Sequence, residues 1–177
     1  MKQISYLLIL FILLSIPCFA QEKDFDESVL TDNGKQAYQT LLRVQLFAIE
    51  GIGYSGKTSE GEVAFDMLLE DKEAISAFKS LLNKATIEGA LYGLFGLKMT
   101  KCDCYQEEFI KLKKSRVSNN NSEKLSTAEG CSYYEAEKGS NKEFYLDYIE
   151  SKNYFGQRAA LKTRLKEQRK LKAQNPN

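Results

Sequence analysis

Between residues 34 and 114 the chain is a succession of five short apolar segments, three of them opened by a residue that caps helices well. This spacing restricts the fold more than any other feature of the sequence. Ala37, Tyr38, Leu41, Leu42, Val44, Leu46, Phe47 and Ile49 predict a helix over Gly34 to Ile49 that is apolar on more than one side and therefore internal. A glycine-rich loop follows. Ser59 with Glu62 forms an S-x-x-E capping box and opens a second helix whose expected core face is Val63, Phe65, Met67, Leu68 and Leu69. Asp71 caps a third, with Ile75, Phe78, Leu81 and Leu82, and Thr86 caps a fourth, with Ile87, Ala90, Leu91, Leu94, Phe95 and Leu97. Gly89, Gly93 and Gly96 recur along the fourth. Glycine weakens a helix, so its repetition predicts close approach by a neighbouring helix. A shorter helix spans Tyr105 to Lys114 with Phe109, Ile110 and Leu112. Short turns between such segments predict an all-α domain of stacked helical hairpins, a bundle or a short solenoid-like array.

The pattern breaks at 115–141. Ser115 to Ser126 is polar, reads as a loop, and holds the sequon Asn120-Asn121-Ser122. Gly130 to Tyr134 reads as a short strand or an extended return. From Asn141 onward the chain is helical again, with Phe144, Leu146, Tyr148, Ile149, Tyr154 and Phe155. The expected organisation is a signal peptide over 1–20, an acidic segment over 21–33, a helical domain over 34–155 and a basic helix or tail over 156–177.

The leader is read from MKQISYLLILFILLSIPCFA: one lysine, an apolar run too short to span a membrane, Pro17, and small residues at the −3 and −1 positions of a cut after Ala20. The expected location is periplasmic or secreted, with no transmembrane span left after cleavage. Cys18 raises a lipoprotein signal, which Pro17 before it disfavours. Cleavage takes Lys2 from the 25 basic residues and none of the 24 acidic ones, so the remainder is formally neutral. The charges are segregated. Glu22, Asp24, Asp26, Glu27 and Asp32 crowd the start, and Arg158, Lys162, Arg164, Lys166, Arg169, Lys170 and Lys172 crowd the end. The basic end suits an anionic surface, but nothing in the balance suits specific nucleic-acid binding.

Export leaves three cysteines, Cys102, Cys104 and Cys131. A bridge from Cys131 to either of the others closes a loop of about 30 residues and contributes on the order of 3 kcal/mol. A Cys102–Cys104 bond is sterically poor at one-residue spacing. The expectation is one disulfide tying the irregular segment, with one thiol left over. Three cysteines without histidine do not complete a closed zinc site.

In pattern, residues 34–114 resemble a HEAT-like or other α-solenoid array, without a repeat consensus. The segment FAIEGIGYSGKTSEGEVAF, followed by ALYGLFGL, resembles exported bacterial proteins of no known activity. The resemblance implies a helical fold and brings no substrate or cofactor with it.

The chain has no histidine, which removes Ser-His-Asp and Cys-His relays and imidazole ligation. One motif remains. Gly51 to Thr58 matches G-x-x-x-x-G-K-[ST], in which backbone amides cradle phosphates, Lys57 reaches the terminal phosphates and Thr58 holds Mg²⁺. The preceding RVQLFAIE is able to form the strand such a motif needs. The rest of the chain offers no alternating βαβ units, and the simpler reading of Gly51, Gly53, Gly56, Lys57 and Thr58 is a loop closed by the capping box. A carboxylate pair, Glu62 with Asp66, would serve an envelope hydrolase if it lined a cleft. Tyr133, Tyr134, Tyr148 and Tyr154 are candidates for a contact surface, because tyrosine buries area at low entropic cost. Taken together, the sequence predicts a small exported helical protein that binds another protein, as an adaptor, inhibitor or immunity-type partner. No catalytic, cofactor or metal set is assigned.

Overall fold

The computed structural model describes residues 24–53, 57–117, 124–130, 132–136, 146–147 and 149–150. The leader with Cys18, Gly56, the sequon, Cys131, Tyr148, Tyr154 and the basic segment 156–177 lie outside the described residues, as does the side chain of Tyr134. Within residues 24–136, five α-helices and a small sheet follow among the described residues in the order α1 (Asp32–Arg43), β1 (Phe47–Ile52), α2 (Glu60–Leu69), α3 (Ala74–Lys84), α4 (Ile87–Met99), α5 (Tyr105–Leu112), a π-helical turn at Lys113–Val117, β2 (Leu125–Gly130) and β3 (Ser132–Ala136). The fold is mostly helical, as the sequence predicts. The largest helix contacts pair α3 with α4 and α1 with α2.

The caps are placed as the residue types dictate. Thr31, Ser59 and Thr86 accept from the backbone N–H of Gly34, Glu62 and Gly89. Asp71 departs from its expected role. The third helix starts at Ala74, and Asp71 accepts from the Glu73 N–H at 3.0 Å while its other oxygen accepts from the Thr31 N–H at 3.0 Å and the Thr31 hydroxyl at 2.7 Å. It therefore staples the cap of α1 to the start of α3. Burial pushes this carboxyl upward, but the hydrogen bonds from Glu73 and Thr31 outweigh it and hold Asp71 below the usual carboxylate range. A lowered folded-state pKa adds stability above the unfolded value and loses it as pH falls through the folded one. Asp71→Ala is expected to cost about 2 kcal/mol at pH 7. In denaturant melts repeated from pH 7 downward, the gap to the parent chain shrinks below about pH 4, near the ordinary 3.8. A gap independent of pH would show that Asp71 acts only by packing.

The core is built around α4, buried at nearly every position from Ile87 to Met99. Phe65 of α2 lies 5.3 Å from Phe95, 5.6 Å from Phe78 and 5.9 Å from Tyr92 between ring centroids, and Phe47 of β1 meets Tyr92 edge-on at 4.8 Å. The glycines of α4 face neighbours as predicted: an added Cβ at Gly89 would meet the Leu41 carbonyl of α1, and at Gly93 and Gly96 it would meet Phe78 of α3. Three core faces are corrected. Val63 and Ile75 are 47% and 41% exposed, and Ile110 is also exposed. On α2 the buried residues are Gly61, Glu62, Ala64, Phe65 and Leu68, and on α3 they are Ala74, Ala77, Phe78, Ser80, Leu81 and Leu82. Gly61, Ala64, Phe65 and Leu68, like Ala74, Ala77, Phe78 and Leu81, follow the i, i+3, i+4, i+7 stripe of one helix face, and Val63 and Ile75 fall off that stripe.

The sheet is the main difference from an all-α fold. The helix predicted over Gly34 to Ile49 stops at Arg43, where Val44 turns extended (ψ 138°), and Phe47 enters β1. β1 pairs in parallel with β2, Phe47 opposite Thr127 and Ala48 opposite Ala128. β2 pairs antiparallel with β3, Thr127 opposite Tyr134 and Ala128 opposite Tyr133. Phe47, Ala48 and Ile49 are all buried, so the strand lacks alternation and its apolar run reads as a continuation of the helix. The buried carboxylate of Glu88, in the first turn of α4, accepts from the Ser126 N–H at 2.8 Å and joins β2 to the helices. Arg116 donates to the Leu82 and Ala85 carbonyls at the end of α3, and Lys98 donates to the Ile149 and Glu150 carbonyls, docking the buried Leu146 and Ile149. No helix among the described residues is long and apolar enough to cross a membrane.

Candidate functional site

A cleft of about 820 Å³ opens between α1 and the chain that leads from β1 into α2. One wall is the outer stripe of α1, Gln36, Gln39, Thr40 and Arg43, at i, i+3, i+4 and i+7. Val44, Gln45 and Leu46 connect it to the other wall, formed by Ile52, Lys57, Thr58, Ser59, Glu60 and Gly61. The walls are set by buried interactions behind them. Ser59 spends its hydroxyl on the Glu62 N–H at 2.9 Å and the Ala48 carbonyl at 3.2 Å. The Tyr92 hydroxyl accepts from the Ala48 N–H at 3.0 Å and donates to the Ala48 carbonyl at 2.7 Å. Burial drives this phenol to about 12. The same ring fills the space beside Gly61, which leaves no room there for a Cβ.

Lys57 and Thr58, singled out by the motif, do reach this cleft, and both are exposed. The side chains of Lys57, Thr58, Glu60 and Gln36 have no hydrogen-bond or ionic partner among the described residues. Gln39 is partly engaged, donating to Glu27 at 2.6 Å. The order strand, loop, helix required by the phosphate-binding motif is present. Its cradle is differently built. Ile52 and Lys57 exchange both backbone hydrogen bonds, at 2.8 and 3.0 Å, in a hairpin that turns at Gly53 with φ +72°. Helix α2 starts only at Glu60 and is capped by its own Ser59, so the Lys57 N–H and the Glu62 N–H are already bonded.

The carboxylate pair is not in the cleft. Glu62 is 5% exposed, lies near the Tyr92 phenol and, like the half-buried Asp66, is absent from the cleft walls. Glu60 is the carboxylate that does line it. Among the described residues no three cysteine, aspartate or glutamate side chains gather to hold a metal.

The cysteine expectation is corrected. Cys102 and Cys104 are bridged to each other, with Cα atoms 5.1 Å apart, in the turn between α4 and α5. The turn between the two helices brings the neighbouring side chains together, which spacing in an extended chain does not. Of the tyrosine candidates, Tyr133 is 58% exposed on β3, which pairs with β2 and no other strand among the described residues. Arg43 and the glutamines of α1 were not singled out from the sequence. Their only signal is a polar helix stripe, identical to that of any solvated face. The chain matches no known protein family, no curated protein and no solved structure in the comparisons made.

Proposed function

We propose that this is an exported binding protein, of adaptor, inhibitor or immunity type, that receives a segment of a partner protein in the cleft between α1 and the Ile52–Lys57 hairpin. The observation that carries the reading is the pair of walls whose polar groups face a common space: on one side Gln36, with Arg43, which donates to Gln39 at 3.4 Å, and on the other Lys57, Thr58 and Glu60; among the described residues Gln36, Lys57, Thr58 and Glu60 have no side-chain partner. Such groups hydrogen-bond the backbone and polar side chains of an extended polypeptide. Export rests on the leader, and the exposed Tyr133 adds a second contact of the kind interfaces favour.

A photocrosslinking residue placed at Thr58 is expected to capture one envelope protein in living cells. Arg43→Glu combined with Lys57→Glu should reduce that capture at least tenfold, whereas the same probe at Ile110, exposed on α5, should capture nothing. Equal capture at both positions would remove the reading. One observation favours a second one: Lys57 follows a strand that is parallel to its neighbour and precedes a helix. Mg-ATP is the probe for it, and a rise in melting temperature that is lost in Lys57→Ala would replace the protein partner by a nucleotide.

A further inference from the structure

The Cys102–Cys104 bridge sits where it does little for the fold. It spans two residues in sequence. In the chain-entropy picture a loop that short constrains the unfolded state roughly half as strongly as one of 30 residues. The turn is already fixed by its main chain. Lys101 ends α4 with a left-handed φ of 55°, and its N–H donates to the Lys98 carbonyl at 3.1 Å. The Cys102 N–H donates to the Leu97 carbonyl at 3.0 Å, the Tyr105 N–H to the Cys102 carbonyl at 3.0 Å, and the Glu108 N–H to the Cys104 carbonyl at 3.1 Å. Both cysteines are half-buried, and the residues on either side of Cys102, Lys101 and Asp103, are exposed. The two sulfurs are not equivalent. The Cys104 N–H donates to the Cys102 Sγ at 3.2 Å, and no such donor is seen for the Cys104 Sγ among the described residues. A hydrogen bond to sulfur stabilises a thiolate, and the better-stabilised thiolate leaves faster. Neither cysteine lines the cleft.

We propose that Cys102–Cys104 is a redox-active disulfide that oxidises a pair of cysteine thiols in another polypeptide. A substrate thiolate attacks the Cys104 Sγ. The Cys102–Cys104 bond breaks, its electron pair leaves on the Cys102 Sγ under the Cys104 N–H, and a substrate–Cys104 mixed disulfide forms. The second substrate thiol, as thiolate, attacks its own partner sulfur and expels Cys104 as thiolate. The substrate loses two electrons and two protons and gains a disulfide. The Cys102 and Cys104 pair takes up the electrons, and the protons pass through solvent to the two sulfurs. The missing histidine is no obstacle, because the nucleophile is the substrate's own thiolate.

The test uses the full oxidised chain and a synthetic peptide carrying two reduced cysteines, with the peptide disulfide followed by mass spectrometry. Oxidation is expected to run at least tenfold faster than with the Cys102→Ala, Cys104→Ala chain, and unchanged with Cys131→Ser. A second measurement needs no substitution: the unaltered chain is exposed to millimolar reduced glutathione, quenched with acid, and the Cys102–Lys111 tryptic peptide is mapped. Glutathione should sit on Cys104 at least tenfold more often than on Cys102. A bridge that survives glutathione intact, equal rates with and without the pair, glutathione mainly on Cys102, or a native bond from either cysteine to Cys131 would each overturn the proposal.

Discussion

Gly89→Ala is expected to destabilise the protein by about 3 kcal/mol, roughly 6–12 °C in Tm, although alanine is the better helix former by about 1 kcal/mol. The reason is the identity of the atom in the way. A Cβ at Gly89 is directed onto the Leu41 carbonyl oxygen, a backbone atom of the buried face of α1, with the Ala85 Cβ 2.7 Å away on another side. The α1 backbone is not free to retreat. The Thr86 N–H donates to the Leu42 carbonyl at 3.2 Å and the Thr86 hydroxyl to the Val44 carbonyl at 2.6 Å, so the end of α1 is clamped to the start of α4 on the same side as the clash. Gly96→Ala should cost less, since the obstacle there is the Phe78 ring, which is able to tilt, whereas at Gly93 the nearest obstacle is again backbone, the Phe78 carbonyl at 2.8 Å. Urea melts of the three variants measure the order. A Gly89→Ala chain as stable as its parent would mean that α1 and α4 do not approach as described.

That contact was partly legible in the sequence, and the limit of its legibility is instructive. Repeated glycine in an apolar helix signals a neighbour at close range without naming it, because the pattern of one helix carries no record of which backbone it meets. The caps Ser59 and Thr86 were readable because a cap is a local bond, three residues long. β1 was hidden for the opposite reason. Its Phe47, Ala48 and Ile49 are all buried in consecutive positions, and the strand contacts α4 and α2, so it shows neither the alternation of a half-exposed strand nor a break from the helical run before it. β2 was not foreseen, because its first residues, Leu125 and Ser126, fall in the polar segment that reads as a loop and one of its two partners, β1, is distant in the chain. Its buried Thr127 sits opposite Phe47, eighty residues earlier in the chain. The cleft was least legible of all. Lys57 and Thr58 were found through a motif whose backbone geometry is not the one this hairpin adopts, and Arg43 lies on a stripe that only the opposite wall distinguishes from ordinary solvated surface.

Tyr92→Phe tests the joint that supports this cleft from behind. The substitution keeps the ring against Phe47, Phe65 and Gly61 and deletes one oxygen. That oxygen serves Ala48 twice, as acceptor for its N–H and donor to its carbonyl, and lies 3.3 Å from the Ser59 hydroxyl that caps α2. Removing it from a buried site is expected to cost about 2 kcal/mol and to loosen β1 from α2 together. Tyr92→Leu, which also surrenders the ring, should cost more. The pH dependence separates the hydroxyl from packing. Burial raises Tyr92 from 10.0 to about 12, with the Glu62 charge adding to the rise and the bonds to Ser59 and Ala48 opposing it. A group whose folded pKa is raised contributes stability that is complete below the unfolded value and is lost as pH climbs through the folded one. Between pH 10 and 12 the unfolded phenol ionises while the folded one does not, so the parent chain loses stability across that window. Tyr105, also raised to about 12 by burial and the Glu150 charge, contributes a share of the same loss. Melts at pH 8, 10, 11 and 12 should therefore show a shallower decline for Tyr92→Phe than for the parent, and shallower still when Tyr105→Phe is added. Parallel declines would show that the Tyr92 hydroxyl titrates freely, in which case it is not locked between the two backbone groups of Ala48.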